Sequence, residues 1–286
     1  MIKKYMPLLI TLLGAILLAT SIKSDDPSRD KFDEIIDKAY VNKWDTLSIG
    51  DLNAKIALEF SGTPYVSGTL EGPGPEECRM DLTGVDCVTL YEYALGMARL
   101  VKKGYSDYDK LRDELTFMRY RSGKLDGYTS RLHYTSDWFA DNDKKGVAEN
   151  ITPYIGGIKF TKQVNFMSRN PNYYDKLKDN PQAVNKISEY ELKINSMDRY
   201  YIPKEQLPRH TGKLKTGDII GITTDIPGLD YSHTGLVFVD NSGKVRLLHA
   251  SSLKEKVFLD KSLTEYLEQN KKSTGVTIVR PLEPND

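Results

Sequence analysis

The sequence predicts an α+β fold, and three observations lead there. Apolar residues recur at helical spacing near the start, with Phe32, Ile35, Ile36, Ala39 and Tyr40 falling on one face between Pro27 and Trp44. Four short segments rich in β-branched residues close the chain: GDIIGITT (217–224), HTGLVFVD (233–240), KVRLLHAS (244–251) and GVTIVRPL (275–282). Turn signals such as Asp240-Asn241-Ser242-Gly243 separate them, as expected of antiparallel neighbours. Helices first and an antiparallel sheet last is the α+β order.

The elements follow in turn. A charged, apolar, small-residue succession opens the chain, MIKKYMPLLITLLGAILLATSIKS, which is the pattern of a secretory signal covering residues 1–21, with Ala19 and Ser21 placed before a cleavage point. The apolar run is short for a membrane-spanning helix, which needs about 20 residues; an uncleaved anchor is the alternative. No cysteine follows the run, so a bacterial lipid anchor is not expected. The chain is expected to be exported. After the first helix, a second is predicted to start near Asp51, to carry Leu52, Ile56 and Phe60, and to stop at Gly62. A loop dense in glycine and proline, GTPYVSGTLEGPGPEE, delivers the chain to LTGVDCVTLYEYALGMA (82–98), predicted as a helix capped by Asp86 and ended near Gly104. Residues 105–210 show little periodicity beyond a helix-like piece at 107–119 and a glycine pair at Gly156–Gly157.

Composition narrows the function classes. Lysine plus arginine equals aspartate plus glutamate at 40 each, so no overall field draws in nucleic acid or an anionic membrane. Two cysteines cannot build a disulfide scaffold. A core of ordinary packing must hold the fold, and 286 residues permit one.

One of those cysteines stands at a chemically favoured place. Cys87 follows the cap Asp86 and so occupies the first helical turn, where free backbone N–H groups and the helix dipole favour negative charge and are expected to lower a thiol pKa. Two other readings stay open on these residues. Cys87, Leu90, Ala94, Met97 and Val101 form one apolar stripe, so the cysteine fits a core position equally well; and Cys78 is close enough in sequence for a short-loop disulfide. The histidines favour chemistry. His233 and His249 begin and end a hairpin-like unit, SHTGLVFVDNSGKVRLLHAS, and pairing across its turn brings them to the same end of the ladder. A thiol needs a base, and the base needs a polar group to orient its ring; Cys87, His233 and His249 fill those roles. Two histidines could instead hold zinc, but no third ligand stands at usable spacing and no HExxH-type motif is present.

These segments resemble the NlpC-type branch of papain-like cysteine peptidases and amidases: GTPY, DCVT, LKTGDIIGI with its Gly217-Asp218 pair, and SHTGLVFVDNSGKVRLLHAS. More closely, GTPYVSGTLE, DCVTLYEYALGMAR, YTSRLHYTSDWFADN and GLDYSHTGLVF are similar, in the same order, to the N-acetylmuramoyl-L-alanine amidase-like subfamily of bacterial envelopes. The resemblance implies a papain-like fold, with a helical lobe carrying the nucleophile on an antiparallel sheet. It implies a single amidase domain, 22–286, with a specificity insertion around 105–210. It implies Cys87 as nucleophile, His233 as base and His249 as orienting member, with the Cys87 N–H holding the oxyanion. Tyr65 is similar to a family tyrosine near the nucleophile. Arg131, His133, Tyr134, Ser136, Asp137 and Trp138 are the implied pocket wall, with Ser232 beside the base; Arg131 offers a fork for a substrate carboxylate. For Tyr134 and Trp138 an ordinary core role is the alternative.

The implied activity is hydrolysis of the amide between N-acetylmuramic acid and L-alanine in muramyl-peptide fragments, in the periplasm, by a monomer. No metal, organic cofactor, nucleic-acid partner or membrane association after signal cleavage is implied. An endopeptidase cutting after γ-D-glutamate uses the same triad, and an inactive envelope-binding module is the alternative of another class.

Overall fold

A computed structural model describes residues 25–285; the signal segment, 1–21, lies outside the described residues. The chain runs α1 (Pro27–Val41), α2 (Ile49–Glu59), α3 (Cys87–Lys102), α4 (Tyr108–Arg119), α5 (Thr135–Lys144), β1 (Ala148–Asn150), β2 (Ile158–Lys159), α6 (Phe166–Arg169), α7 (Pro181–Ser196), β3 (Tyr200–Pro203), β4 (Ile219–Thr224), β5 (Tyr231–Val239), β6 (Val245–Ser251), β7 (Lys256–Leu259), α8 (Leu263–Gln269) and β8 (Ser273–Pro281). The α+β expectation holds.

Local chemistry explains where the helices begin. Asp26 accepts from the Ser28 N–H and Pro27 occupies the first turn of α1. α2 starts earlier than expected, because Ser48 accepts from the Asp51 N–H and so caps the helix, leaving Asp51 in the first turn. Asp86 caps α3 as predicted: its carboxylate accepts from the Val88 and Thr89 N–H groups while Thr89 Oγ1 accepts from the Asp86 N–H, a reciprocal capping box. Asp107 caps α4. Gly104, just past α3, takes φ +75°, the left-handed position that ends helices.

α3 is the central helix. Every residue from Thr89 to Val101 is buried, against α1, α2 and α4 on one side and β5 and β6 on the other. A helix covered all round cannot keep unpaired charge. Glu92, 1% exposed, binds Arg119 of α4 at 2.8 Å and the Trp138 indole N–H of α5 at 3.0 Å. Arg99 binds Glu114 of α4 at 2.8 Å, and Lys103 joins the same carboxylate. Glu92 is therefore a buried tie between three helices.

The sheet has the order β2-β3-β8-β4-β5-β6-β7, with β1 also on β8, and all its pairs are antiparallel. Alternation divides its faces. Ile219, Leu236, Leu248, Val257 and Val279 pack with the helices around α3. Ile220, Ile222, Val237, Leu247 and Ile278 form a second core closed by Leu263 and Leu267 of α8. Gly217-Asp218 locks sheet to helices: Gly217 has φ +87°, a Cβ there would lie 1.9 Å from the Gly50 carbonyl oxygen, and its own carbonyl accepts from Asn53 of α2. Buried Asp218 takes a two-pronged bond from Arg280 at 2.7 and 2.8 Å.

Because Glu92 has no water to turn to, Arg119→Met should strand a buried carboxylate and cost about 3–5 kcal/mol of folding free energy. Urea unfolding checks this, and the double variant with Glu92→Gln should recover a good part of the loss.

Candidate active site

Three segments converge on the head of α3. The Pro64–Val66 strap forms a parallel bridge to Val85, with Val66 N–H donating to Val85 O at 3.0 Å and Val85 N–H to Pro64 O at 3.1 Å. The Tyr65 N–H donates to Glu255 O at 2.9 Å in the turn before β7. Tyr65 is thereby held beside Cys87; burial first, then the Cys87 and Asp86 charges, push its phenol up to about 12. From the sheet, Thr234 Oγ1 donates to the Cys87 carbonyl at 2.7 Å and ties β5 to the first turn of α3.

The strand β5 carries a register shift opposite Ile222–Thr223, next to His233. Such bulges re-aim side chains at sheet ends. His233 Nε2 lies 2.7 Å from His249 Nδ1, the rings crossing at 82°. The hairpin across Asp240–Gly243 pairs Val239 with Val245 and brings the histidines together, as the spacing predicted. His249 is 1% exposed, wedged between Phe258 and Tyr266 with ring centroids at 4.9 and 5.2 Å. Tyr266 also stacks on His233 at 5.9 Å.

Burial sets the electrostatics. It lowers the His233 imidazole to about 4, and burial followed by the neighbouring His233 lowers His249 to about 3. Both rings are neutral at neutral pH. The Cys87 thiol goes the other way from the lowering expected at a helix start: burial first, then the Asp86 carboxylate, push it up to about 11, although Thr234 hydrogen bonding opposes this. The helix-terminal effect is worth a fraction of the desolvation of a thiolate here. Among the described residues, no hydrogen bond joins the thiol to either imidazole, and the Cys87 N–H has no acceptor. Both cysteines are free thiols. Cys78 is buried near Arg112 and Arg119, so the short-loop disulfide is not formed. No group of three or more His, Cys, Asp or Glu residues is arranged to hold a metal ion among the described residues.

The implied pocket wall has other partners. Arg131 is 4% exposed and paired with two acids, Glu71 at 2.6 Å and Glu76 at 3.2 Å, so its guanidinium clamps the 70–76 loop. His133 bonds the Tyr128 carbonyl at 2.8 Å and lies against its ring. Tyr134 donates to Glu191 at 2.7 Å and accepts from the Met167 N–H at 2.8 Å. The Ser136 N–H donates to Asp230, and Asp137 binds Arg121 at 2.9 Å. Trp138 is core, held by Glu92. These six residues brace the 105–210 region from inside. Ser232, in contrast, is exposed and lines a cavity of about 990 Å³ that opens beside His233. Phe258, Asp260 and Tyr266 line the same cavity. The sequence reading missed all three: α8 is seven residues long, too short for periodicity to reveal, and Asp260 stands in the turn before it.

Known proteins share this fold. A family model described as AmiA-like, N-acetylmuramoyl-L-alanine amidase-like, matches residues 55–276. A crystal structure of an N-acetylmuramoyl-L-alanine amidase from Bacteroides uniformis superposes with TM-score 0.77 at 36% identity, covering 82% of this chain and 99% of that one. A Bacteroides fragilis protein provisionally called a xylanase gives TM-score 0.74 at 39% identity, covering 78% and 98%. A Legionella pneumophila protein at 24% identity shares the fold, with TM-score 0.67 over 90% and 97% of the chains. No curated protein matches. With the family model spanning α2 to β8 and the amidase structure matched over nearly its whole length, the chain belongs to the N-acetylmuramoyl-L-alanine amidase-like family.

Proposed function

We propose that the chain is a cysteine amidase of papain-like, NlpC type that hydrolyses the amide between N-acetylmuramic acid and L-alanine in peptidoglycan fragments. In this reading residues 22–286 form one domain with its insertion around 105–210, acting as a monomer in the periplasm after loss of residues 1–21. The observation that carries it is the 2.7 Å bond between His233 Nε2 and His249 Nδ1, on a strand whose next residue, Thr234, is bonded to Cys87 at the head of a buried helix. That bond uses one nitrogen of His233 and leaves Nδ1 for a proton. Two neutral imidazoles allow it: His233 Nε2–H donates to the bare Nδ1 of His249.

Cys87 rests as a thiol. Its proton passes to His233 Nδ1 as sulfur attacks the carbonyl, and the oxyanion draws on the unused Cys87 N–H and the end of α3. Tyr65 supplies a second donor. The tetrahedral adduct collapses as His233 gives the proton to the departing L-alanine nitrogen, leaving an acyl group on Cys87. Water, losing a proton to His233, then releases the acid and restores the thiol. The substrate cavity lies beside His233, and Lys254, Lys261, Lys271 and Lys272 around it suit the carboxylates of a stem peptide. A glycosidase needs a facing pair of carboxylates; the acids here are Asp260 and Glu265, and Glu265 is bound to Lys244 at 3.0 Å.

Mass spectrometry of a muramyl-peptide digest tests this reading. Free muramic-acid sugar with an intact peptide is expected; a cut peptide means the endopeptidase, and unchanged substrate means a binding module. Cys87→Ala should abolish turnover, and His233→Ala should cost about 1000-fold or more in kcat.

Acid should weaken both activity and fold. Unfolded histidines titrate near pH 6.5, roughly, whereas these folded ones stay neutral far lower, so between those limits the unfolded state binds more protons. Stability is full above about pH 6.5 and declines as pH falls from there toward the folded values. Urea midpoints at stepped pH should show this. Histidine NMR midpoints of His233 and His249 between pH 6 and 7 would contradict it, as would a kcat/KM profile whose acid limb lies there.

A further inference from the structure

His249 has a partner on its far side. Its Nδ1 is taken by His233, and its Nε2, completely buried, has no hydrogen-bond partner. That nitrogen lies 3.6 Å from Asp260 Oδ2. A buried N–H without an acceptor costs free energy, so the nearest acceptor decides which nitrogen carries the hydrogen. We infer that Asp260 is a positioning residue of the reaction, holding His249 in the Nε2–H tautomer so that its bare Nδ1 accepts from His233.

The geometry limits the alternatives. His233 can take a thiol proton on Nδ1 only if Nε2 carries a hydrogen, and that hydrogen points at His249 Nδ1. Were His249 protonated on Nδ1, two N–H groups would face each other at 2.7 Å and His233 would have to turn its hydrogen toward Cys87, where it could accept nothing. Asp260 prevents this. When the proton reaches His233, positive charge spreads toward His249 and draws the carboxylate from ion-pair distance to hydrogen-bond distance. The proton remains on His233 for the leaving amine. Three bonds anchor Asp260 in place. Its Oδ1 accepts from the Lys261 N–H at 2.7 Å, its N–H donates to Leu247 O at 2.8 Å, and Arg246 grips its carbonyl at 2.8 Å. Apart from Asp260, the titratable group packed on both histidines is Tyr266 of α8, whose phenol feels the Cys87 and Asp260 charges, while the Arg246 guanidinium is spent on the Leu259 and Asp260 carbonyls.

This inference rests on the cysteine-amidase reading, and its test separates the two. Kinetics on a muramyl peptide and [15N]histidine NMR should be recorded for wild type, Cys87→Ala, Asp260→Asn and Asp260→Ala. In the wild type His249 should show the Nε2–H tautomer. Asp260→Ala should mix the tautomers and lower kcat on the order of tenfold or more with KM within about twofold. Asp260→Asn, which keeps an acceptor oxygen, should hold the tautomer and recover most of the rate. A His249 Nδ1–H tautomer in the wild type overturns the inference. So does Asp260→Ala at wild-type kcat while Cys87→Ala is dead, which leaves the triad standing. If Cys87→Ala retains activity, the underlying reading fails whatever Asp260 does.

Discussion

Helix α3 reaches Cys87 from inside the protein, and it can do so because Glu92 is paired there with Arg119 and Trp138. A helix buried from Thr89 to Val101 has no solvated face on which to place charge. Pairing its acid with one residue from α4 and one from α5 turns that restriction into a brace, since neither helix can shift without exposing a buried ion. The head of α3 is then a fixed point. Thr234 pins the sheet to it, and the Pro64–Val66 strap pins Tyr65 to it.

The same burial shapes the chemistry. An exposed cysteine at a helix start would be acidic, but here the thiol and both imidazoles are held neutral by the loss of water. The helix dipole acts on a thiolate that has first to be made, so in the proposed mechanism its role moves from the resting thiol to the oxyanion of the adduct. In the proposed reaction the thiol and the first N–H of α3 would then serve in one step, as negative charge develops on the carbonyl oxygen.

How much was legible in the sequence depended on whether the signal was local. The cap Asp86, the helix starts at Pro27 and beside Asp107, the four C-terminal strands and the closeness of His233 and His249 follow from spacing and turn chemistry, and the structure has them. The strands β1, β2 and β3 are two to four residues long and pair with segments far along the chain, so no periodicity marks them. Arg131 shows the harder limit. An arginine between aromatics has the composition of a carboxylate pocket, and only the fold reveals that Glu71 and Glu76, more than fifty residues earlier, already occupy it. Its aromatic neighbours Tyr134 and Trp138 are core for the same reason: long-range partners, invisible locally, had claimed their polar ends.

Those internal ties account for the charged and aromatic residues of the 105–210 region. Arg121, Arg131 and Arg119 each end on an acid from another segment, and Tyr134 joins α6 to α7 through the Met167 N–H and Glu191. A region that offers few apolar runs must fix its loops by directional bonds, which demand particular partners at particular distances. The cavity beside His233 is built differently, from the β6–β7 turn and α8, where lysines remain exposed and the walls are Phe258 and Tyr266. The same two rings enclose His249. A ligand seated against them would therefore touch the residues that keep water from the imidazole pair, so in the proposed mechanism occupancy of the cavity and protection of the base are one event.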